Sequence, residues 1–237
     1  MTNQRFALYA AGVLIALASG VSRAGDLTAN AAVTNNYIWR GLTQTENGAA
    51  VSGGLDYAAE NGFYIGTWVS NVSFAPGDAF SYENDIYFGY SGGDKVKYDV
   101  GYLYYNYDDL ADTDFGEIYG KLNVGGFGAS LYALANTQLE EGPGQDFGFG
   151  QALYFSIDYS LGLKNDVSLG LHAGRYSGDF NEAFNVVPDD YTDYNISLSK
   201  GGFTFMVSDT DLDSKVPDGL DNGSVKFVVS YKVDIDL

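Results

Sequence analysis

Apolar and polar residues alternate one by one over long stretches of this chain. From Val225 the odd positions read Val225, Phe227, Val229, Tyr231, Val233, Ile235 and Leu237, and the even ones Lys226, Val228, Ser230, Lys232, Asp234 and Asp236. A period of two is the pattern of a strand with one apolar face. The same rhythm sets Ile86, Phe88 and Tyr90 against Asp85, Tyr87 and Gly89. It sets Leu153, Phe155 and Ile157 against Tyr154, Ser156 and Asp158, and Tyr194, Ile196 and Leu198 against Asp193, Asn195 and Ser197. Followed along the chain, it predicts twelve strands, near 27–39, 49–59, 63–72, 82–91, 96–107, 115–124, 128–136, 151–160, 167–177, 191–200, 203–210 and 224–235.

The connections alternate too. Those at 40–48, 73–81, 108–114, 137–150, 178–190 and 211–223 are long and mostly acidic, whereas 60–62, 92–95, 125–127, 161–166 and 201–202 are tight turns. Long loops at one end and short turns at the other mark an outer-membrane barrel, and an even strand count puts both termini at the periplasmic end. The expected fold is therefore all-β, an antiparallel up-and-down transmembrane β-barrel of about 12 strands. A soluble β-sandwich or lipocalin-like barrel also alternates, with its apolar face inward and Asp56, Asp99, Glu117, Lys121, Asp158 and Asp193 outside. Strand number and loop asymmetry favour the membrane barrel.

The N-terminus adds a route to the envelope. Arg5, an apolar stretch over 6–18 and the small residues Ser22 and Ala24 form a secretory signal peptide, expected to be cleaved after Ala24. Residues 1–24 are then the signal and 25–237 the barrel. No apolar run reaches the ~18 residues of a spanning helix. Losing 1–24 removes Arg5 and Arg23 and no acid, which takes the net charge from −19 to −21. So acidic a chain repels nucleic acid. Cysteine is absent, which excludes disulfides and thiolate metal sites. Twenty tyrosines and fifteen phenylalanines suit pleated surfaces. Those near strand ends, Tyr37, Trp39, Phe63, Tyr64, Tyr104 to Tyr107, Tyr191, Tyr194 and Tyr231, read as two interfacial girdles.

At the first hairpin the sequence becomes familiar. The run from Asn36 through Tyr37, Trp39, Arg40 and Gly41 to Thr45, then Gly54-Leu55-Asp56-Tyr57, then Gly62 to Asn71 with Trp68, resembles the TorF family of porins over residues 27–72. The resemblance implies an outer-membrane barrel and carries over no catalytic residue. Many barrels end in an aromatic residue; this chain ends in Leu237.

Parity assigns Asp56, Asp85, Asp99, Glu117, Asp158, His172 and Asp193, with Lys97 and Lys121, to the lumen as pore-lining candidates. Arg40, at the aromatic end of the first strand, is a candidate for lipopolysaccharide phosphate or a loop carboxylate at the rim, since guanidinium holds both bidentately. His172 is the sole histidine, and Ser156, Asn195 or Ser197 could lie near it, but no nucleophile motif surrounds these serines. Asp209-Thr210-Asp211-Leu212-Asp213 starts like a calcium loop and then has Ser214 and Leu220 where glycine and glutamate are needed. Hence no catalytic residue, metal or cofactor is expected. The expected function is a narrow channel of the Gram-negative outer membrane for passive passage of small, preferably cationic or neutral solutes. The alternative is a plugged structural or adhesive barrel acting through acidic loops. Expected partners are outer-membrane lipid and lipopolysaccharide, the outer-membrane assembly machinery and small solutes, with the barrel a monomer.

Overall fold

A computed structural model describes residues 25–74, 82–107, 113–188, 190–213 and 220–237. The predicted signal segment 1–24 and parts of the long connections lie outside these. The chain enters as β1 (Asp26–Thr34), forms a small hairpin of β2 (Ile38–Trp39) and β3 (Leu42–Thr43), and continues through β4 (Ala50–Ala58), β5 (Phe63–Asn71) and β6 (Tyr82–Gly92). Next come β7 (Val96–Tyr107), β8 (Phe115–Val124), β9 (Phe127–Thr137) and β10 (Leu153–Gly162). A 3-10 turn at Lys164–Asp166 leads to β11 (Ser168–Ser177), a helix α1 (Asp179–Asn185), β12 (Asp190–Lys200), β13 (Phe203–Thr210) and β14 (Lys226–Asp236).

Apart from β2 and β3, these strands form one closed antiparallel barrel of twelve strands in chain order. Closure falls on β1, whose Thr28 pairs with Asp56 of β4 on one side and Asp236 of β14 on the other. One predicted strand is corrected. The pattern over 27–39 breaks after Thr34, where the chain leaves the wall and turns inward. Asn35 marks the exit, its side chain donating to Phe227 O and accepting from Val229 N on β14.

The alternation resolves into two environments. Ile86, Phe155, Ile196, Leu198 and Val229 are all about half exposed on the outer face, while their neighbours Tyr87, Ser156, Ser197 and Val228 are buried inside. An apolar exterior over a closed ladder is what a bilayer requires, since lipid offers backbone groups no partner. Near the short turns, outward rings pair across strands: Phe63 with Tyr90, Phe127 with Tyr159 and Phe203 with Tyr231, centroids 4.5–5.1 Å apart. They form the periplasmic aromatic girdle. The protein is an outer-membrane β-barrel. Several rings predicted for the other girdle point inward instead: Tyr37, Trp39, Tyr105, Tyr107 and Tyr191 are buried.

Facing controls the cost of a charge. Arginine in place of Ile196, an outward residue in the middle of β12, should destabilise the barrel by about 2–4 kcal/mol, as at other lipid-facing midplane sites. The same change at half-buried Asn195, whose side chain faces the lumen, should cost much less. A urea unfolding titration of the two variants in lipid checks this; equal losses would contradict the facing.

Candidate functional site

The outer half of the lumen is filled by segments of the long connections. At the tip of the β2–β3 hairpin, Arg40 and Gly41 both have positive φ, 48° and 82°. This is the two-residue turn whose twist matches its strands. Gly41 is required twice over, because a Cβ there would also meet the side chains of Asp193 and Thr210 on the wall. Arginine in a left-handed conformation is strained, by about 1 kcal/mol, and its contacts explain why it is held there.

The hairpin is tied along its length. Gln44 N donates to Tyr37 O at 2.8 Å, and Thr43 Oγ1 to Asn36 Oδ1 at 2.6 Å. Thr43 N donates to Asn222 Oδ1, and the wall's Tyr191 Oη to the Arg40 carbonyl at 2.8 Å. Beyond the tip, Arg40 Nη1 and Nη2 donate to Glu117 Oε1 and Oε2 at 2.9 and 2.6 Å. The two side chains are 5% and 1% exposed. The guanidinium lies 4.3–5.1 Å from the ring centroids of Trp39, Tyr132, Tyr154 and Tyr176, so aromatic faces replace water around the charge. Glu117 reaches this point beside a β-bulge at Gly116/Glu117, a distortion that re-aims side chains.

Apolar packing closes the space above. Trp39 meets Tyr105, Phe115, Tyr176 and Phe184 edge-on. Helix α1 supplies Phe184 and Phe180, four residues apart on one face and stacked with centroids 5.5 Å apart. Phe180 and Phe115 have no exposed surface. Phe147, from the connection between β9 and β10, packs on Phe180.

The rest of the lumen is richer in polar groups, half-buried at Asp56, Asp158 and His172 and buried at Asp99 and Asp193. His172 stands between Asp158 and Asp193, with Nδ1 2.7 Å from one carboxylate and Nε2 3.0 Å from the other. Only the imidazolium donates to both at once. Tyr154 Oη also donates to Asp193 Oδ2 at 3.0 Å. Tyr64 Oη donates to Asp99 Oδ1 at 2.5 Å and contacts Tyr119 Oη, with Lys121 3.9 Å from Asp99. Lys232 pairs with Asp234 at 2.8 Å. Asp56 accepts from Tyr87 Oη at 2.5 Å.

A family model described as "Bacterial protein of unknown function (Gcw_chp)" matches residues 18–234. The chain belongs to this family. No curated protein matches it in sequence. Among solved structures, the KdgM porin in complex with disordered oligogalacturonate is 11% identical, with 90% of this chain and 99% of that one covered and a TM-score of 0.48. The NanC porin is also 11% identical, with 89% and 98% covered and a TM-score of 0.47. The outer membrane phospholipase A from Escherichia coli is 11% identical, with 88% and 95% covered and a TM-score of 0.44.

In this Gcw_chp barrel the sequence-predicted acids do face inward, but they fall into different settings. Asp56, Lys121, Asp158 and His172 are half-buried, Asp99 and Asp193 are buried, and Lys97 is exposed near the periplasmic end. Asp85 and Glu117, expected to line an open path, are instead sealed in the filled section at 0% and 1% exposure. The placement of Arg40 at the rim, in reach of lipopolysaccharide, is also corrected. It is buried inside the barrel wall, and its carboxylate partner belongs to β8 rather than to a loop. Of the rings that pack this section, Trp39 was read as part of an interfacial girdle, and Phe115, Tyr176, Phe180 and Phe184 were not singled out by parity or motif.

Removing one partner of a buried ion pair leaves the other uncompensated, at a cost of about 3–5 kcal/mol. Arg40→Ala should therefore lower unfolding stability by that order, and Arg40→Lys by less. The pairing itself predicts that Arg40→Ala with Glu117→Gln costs less than the two single changes summed. Unfolding curves of the four proteins measure it; strict additivity would show that the two groups do not couple.

Proposed function

We propose that this protein is a narrow channel of the outer membrane, held closed in the described conformation by its first outer connection. One observation carries the reading: segments of the outer connections, Trp39 and Leu42 of the hairpin and Phe180 of α1, pack among the wall rings in the outer half of the lumen. On the periplasmic side Asp56, Asp158 and His172 stay half-buried among polar neighbours, and above them the β2–β3 hairpin and α1 pack against Tyr105, Phe115 and Tyr176 of the wall. Twelve strands lie between small barrels filled by their own side chains and the open 16–18-stranded porins. Displacing the hairpin together with α1 is what would open a passage in such a barrel. The likeness of residues 27–72 to the TorF porins supports the same function.

The solutes it favours are small and cationic or neutral. Most inward bases are matched by acids: Arg40 by Glu117, Lys121 by Asp99, Lys232 by Asp234, and His172 by both Asp158 and Asp193. Inward acids outside these pairs include the half-buried Asp56 and the sealed Glu83 and Asp85, and rings of acidic groups favour cations. A hydrolase is disfavoured by the same geometry, because both ring nitrogens of His172 are engaged by carboxylates and none is left to activate a serine.

In planar bilayers the unmodified protein should conduct rarely, and Arg40→Ala with Glu117→Gln should give frequent, longer openings. Across a potassium chloride gradient the open current should be cation-selective, reduced more by Asp56→Asn than by Asp158→Asn. Silence of both proteins would instead support a permanently plugged structural barrel, the reading favoured by the dryness of the Arg40–Glu117 pair.

A further inference from the structure

The seat of Arg40 divides into a part that travels with the hairpin and a part that belongs to the wall. The hairpin supplies the arginine itself and Trp39. The wall supplies the rest. Glu117 of β8 receives the two guanidinium nitrogens at 2.9 and 2.6 Å, and Tyr105 Oη of β7 donates to the same carboxylate at 3.1 Å. Tyr132 of β9, Tyr154 of β10 and Tyr176 of β11 surround the guanidinium, their ring centroids 5.1, 4.4 and 4.5 Å away.

The strand register places these rings. Tyr119 pairs with Tyr132, Tyr132 with Tyr154, Tyr154 with Tyr176 and Tyr176 with Tyr191. A row of inward tyrosines therefore crosses β8 to β12, each ring beside the next because direct cross-strand partners share a face. Successive centroids are 5.3–6.3 Å apart. A second cation already uses the row: Lys121 Nζ lies 4.6 Å from the centroid of Tyr119 and 5.6 Å from that of Tyr132. Glu117 stands next to the row, at the bulge. With the hairpin displaced, a carboxylate and three tyrosine rings would remain on the wall.

We propose that Glu117, Tyr132, Tyr154 and Tyr176 form a receptor for small alkylguanidinium solutes, which Arg40 occupies as a tethered stand-in. The chemistry is selective. A planar guanidinium meets both carboxylate oxygens in parallel and stacks on rings, which a compact ammonium or alkali ion does not do. Attraction of the cation to ring faces adds to this where water is excluded, and the Arg40 and Glu117 side chains are 5% and 1% exposed. A free solute has to compete with the tether, whose effective concentration is on the order of millimolar. The competition couples solute to closure, because an alkylguanidinium seated on Glu117 removes the contact that fixes the hairpin. The assignment of such solutes to a channel rests on the reading above; the receptor itself does not.

The test uses the full chain refolded in detergent, with methylguanidinium chloride as the probe at millimolar, non-denaturing concentrations. Arg40→Ala keeps the wall groups and loses the tethered cation. Methylguanidinium should raise the unfolding temperature of this variant along a saturable curve, and potassium chloride at equal ionic strength should not. The parent, whose receptor is filled, should need about tenfold more of the probe. Arg40→Ala with Glu117→Gln should not respond. Where Arg40→Ala refolds poorly, its yield of folded barrel with and without the probe gives the same comparison. No response from Arg40→Ala, or an equal one in the double variant or with potassium, would overturn the proposal. In planar bilayers methylguanidinium should raise the open fraction of the parent, and a conducting parent indifferent to it would overturn the coupling. Rescue of Arg40→Ala with no current in any variant would support the receptor and count against the channel alone.

Discussion

A chain that crosses hydrocarbon as strands has no water to receive its N–H and C=O groups, so every strand needs two neighbours. Here β1 satisfies the last demand by pairing with β4 and β14 at once. Once the ladder is closed, much else is forced. Side chains must divide into lipid-facing and inward sets, so that Leu198 meets lipid while Ser197 and Ser199 turn inside. Adjacent termini follow from the even count. The inward set is also released from the requirement to be apolar, and twelve strands enclose more space than their own side chains occupy.

How that space is used depends on where the wall tyrosines lie. Tyr154 crosses Gly174 on the adjacent strand, Tyr119 crosses Gly101, Tyr87 crosses Gly66 and Tyr64 crosses Gly89; a Cβ at any of these glycines would run into the ring. Rings laid flat over glycines cover exposed backbone and stay close to the wall. The centre is left for the β2–β3 hairpin, and Arg40 can approach Tyr154 and Tyr176 face-on because those rings line its path. The glycines, the tyrosines and the strained turn at Arg40 are parts of a single arrangement.

The barrel was legible in the sequence because its information is local. Alternation at Phe203 to Ser208 or Val225 to Leu237 needs no knowledge of distant residues, and the strands came out within a few positions of those observed. The plug was not, because its information is relational. Tyr37 and Trp39 continue an alternating apolar pattern past Thr34, and nothing at those positions says that the chain has left the wall. An Arg-Gly pair is a weak turn signal beside Asn-Gly or Asp-Gly. Helix α1 spans two turns, too short for periodicity to reveal that Phe180 and Phe184 share a face. Parity did place Glu117 and His172 inside, but it could not show that one meets an arginine from 77 residues earlier in the chain. Nor could it show that the other joins Asp158 to Asp193.

Two kinds of interaction hold the plug, and they do different work. The contacts of Trp39, Phe115, Phe180 and Phe184 gain free energy from burial alone, and small displacements of the rings change them little. The bidentate contact of Arg40 with Glu117 is the reverse. Its attraction is largely offset by the cost of drying two charges, yet it is satisfied in one geometry only. Packing therefore makes it favourable for something to fill the lumen, and the ion pair selects which loop does so and in which position. A barrel that needed only to be solid could be filled with aromatic side chains and would have no use for a charge at its centre. A plug indexed by one directional contact can have two defined positions, seated and displaced, and that distinguishes a closure from a filling.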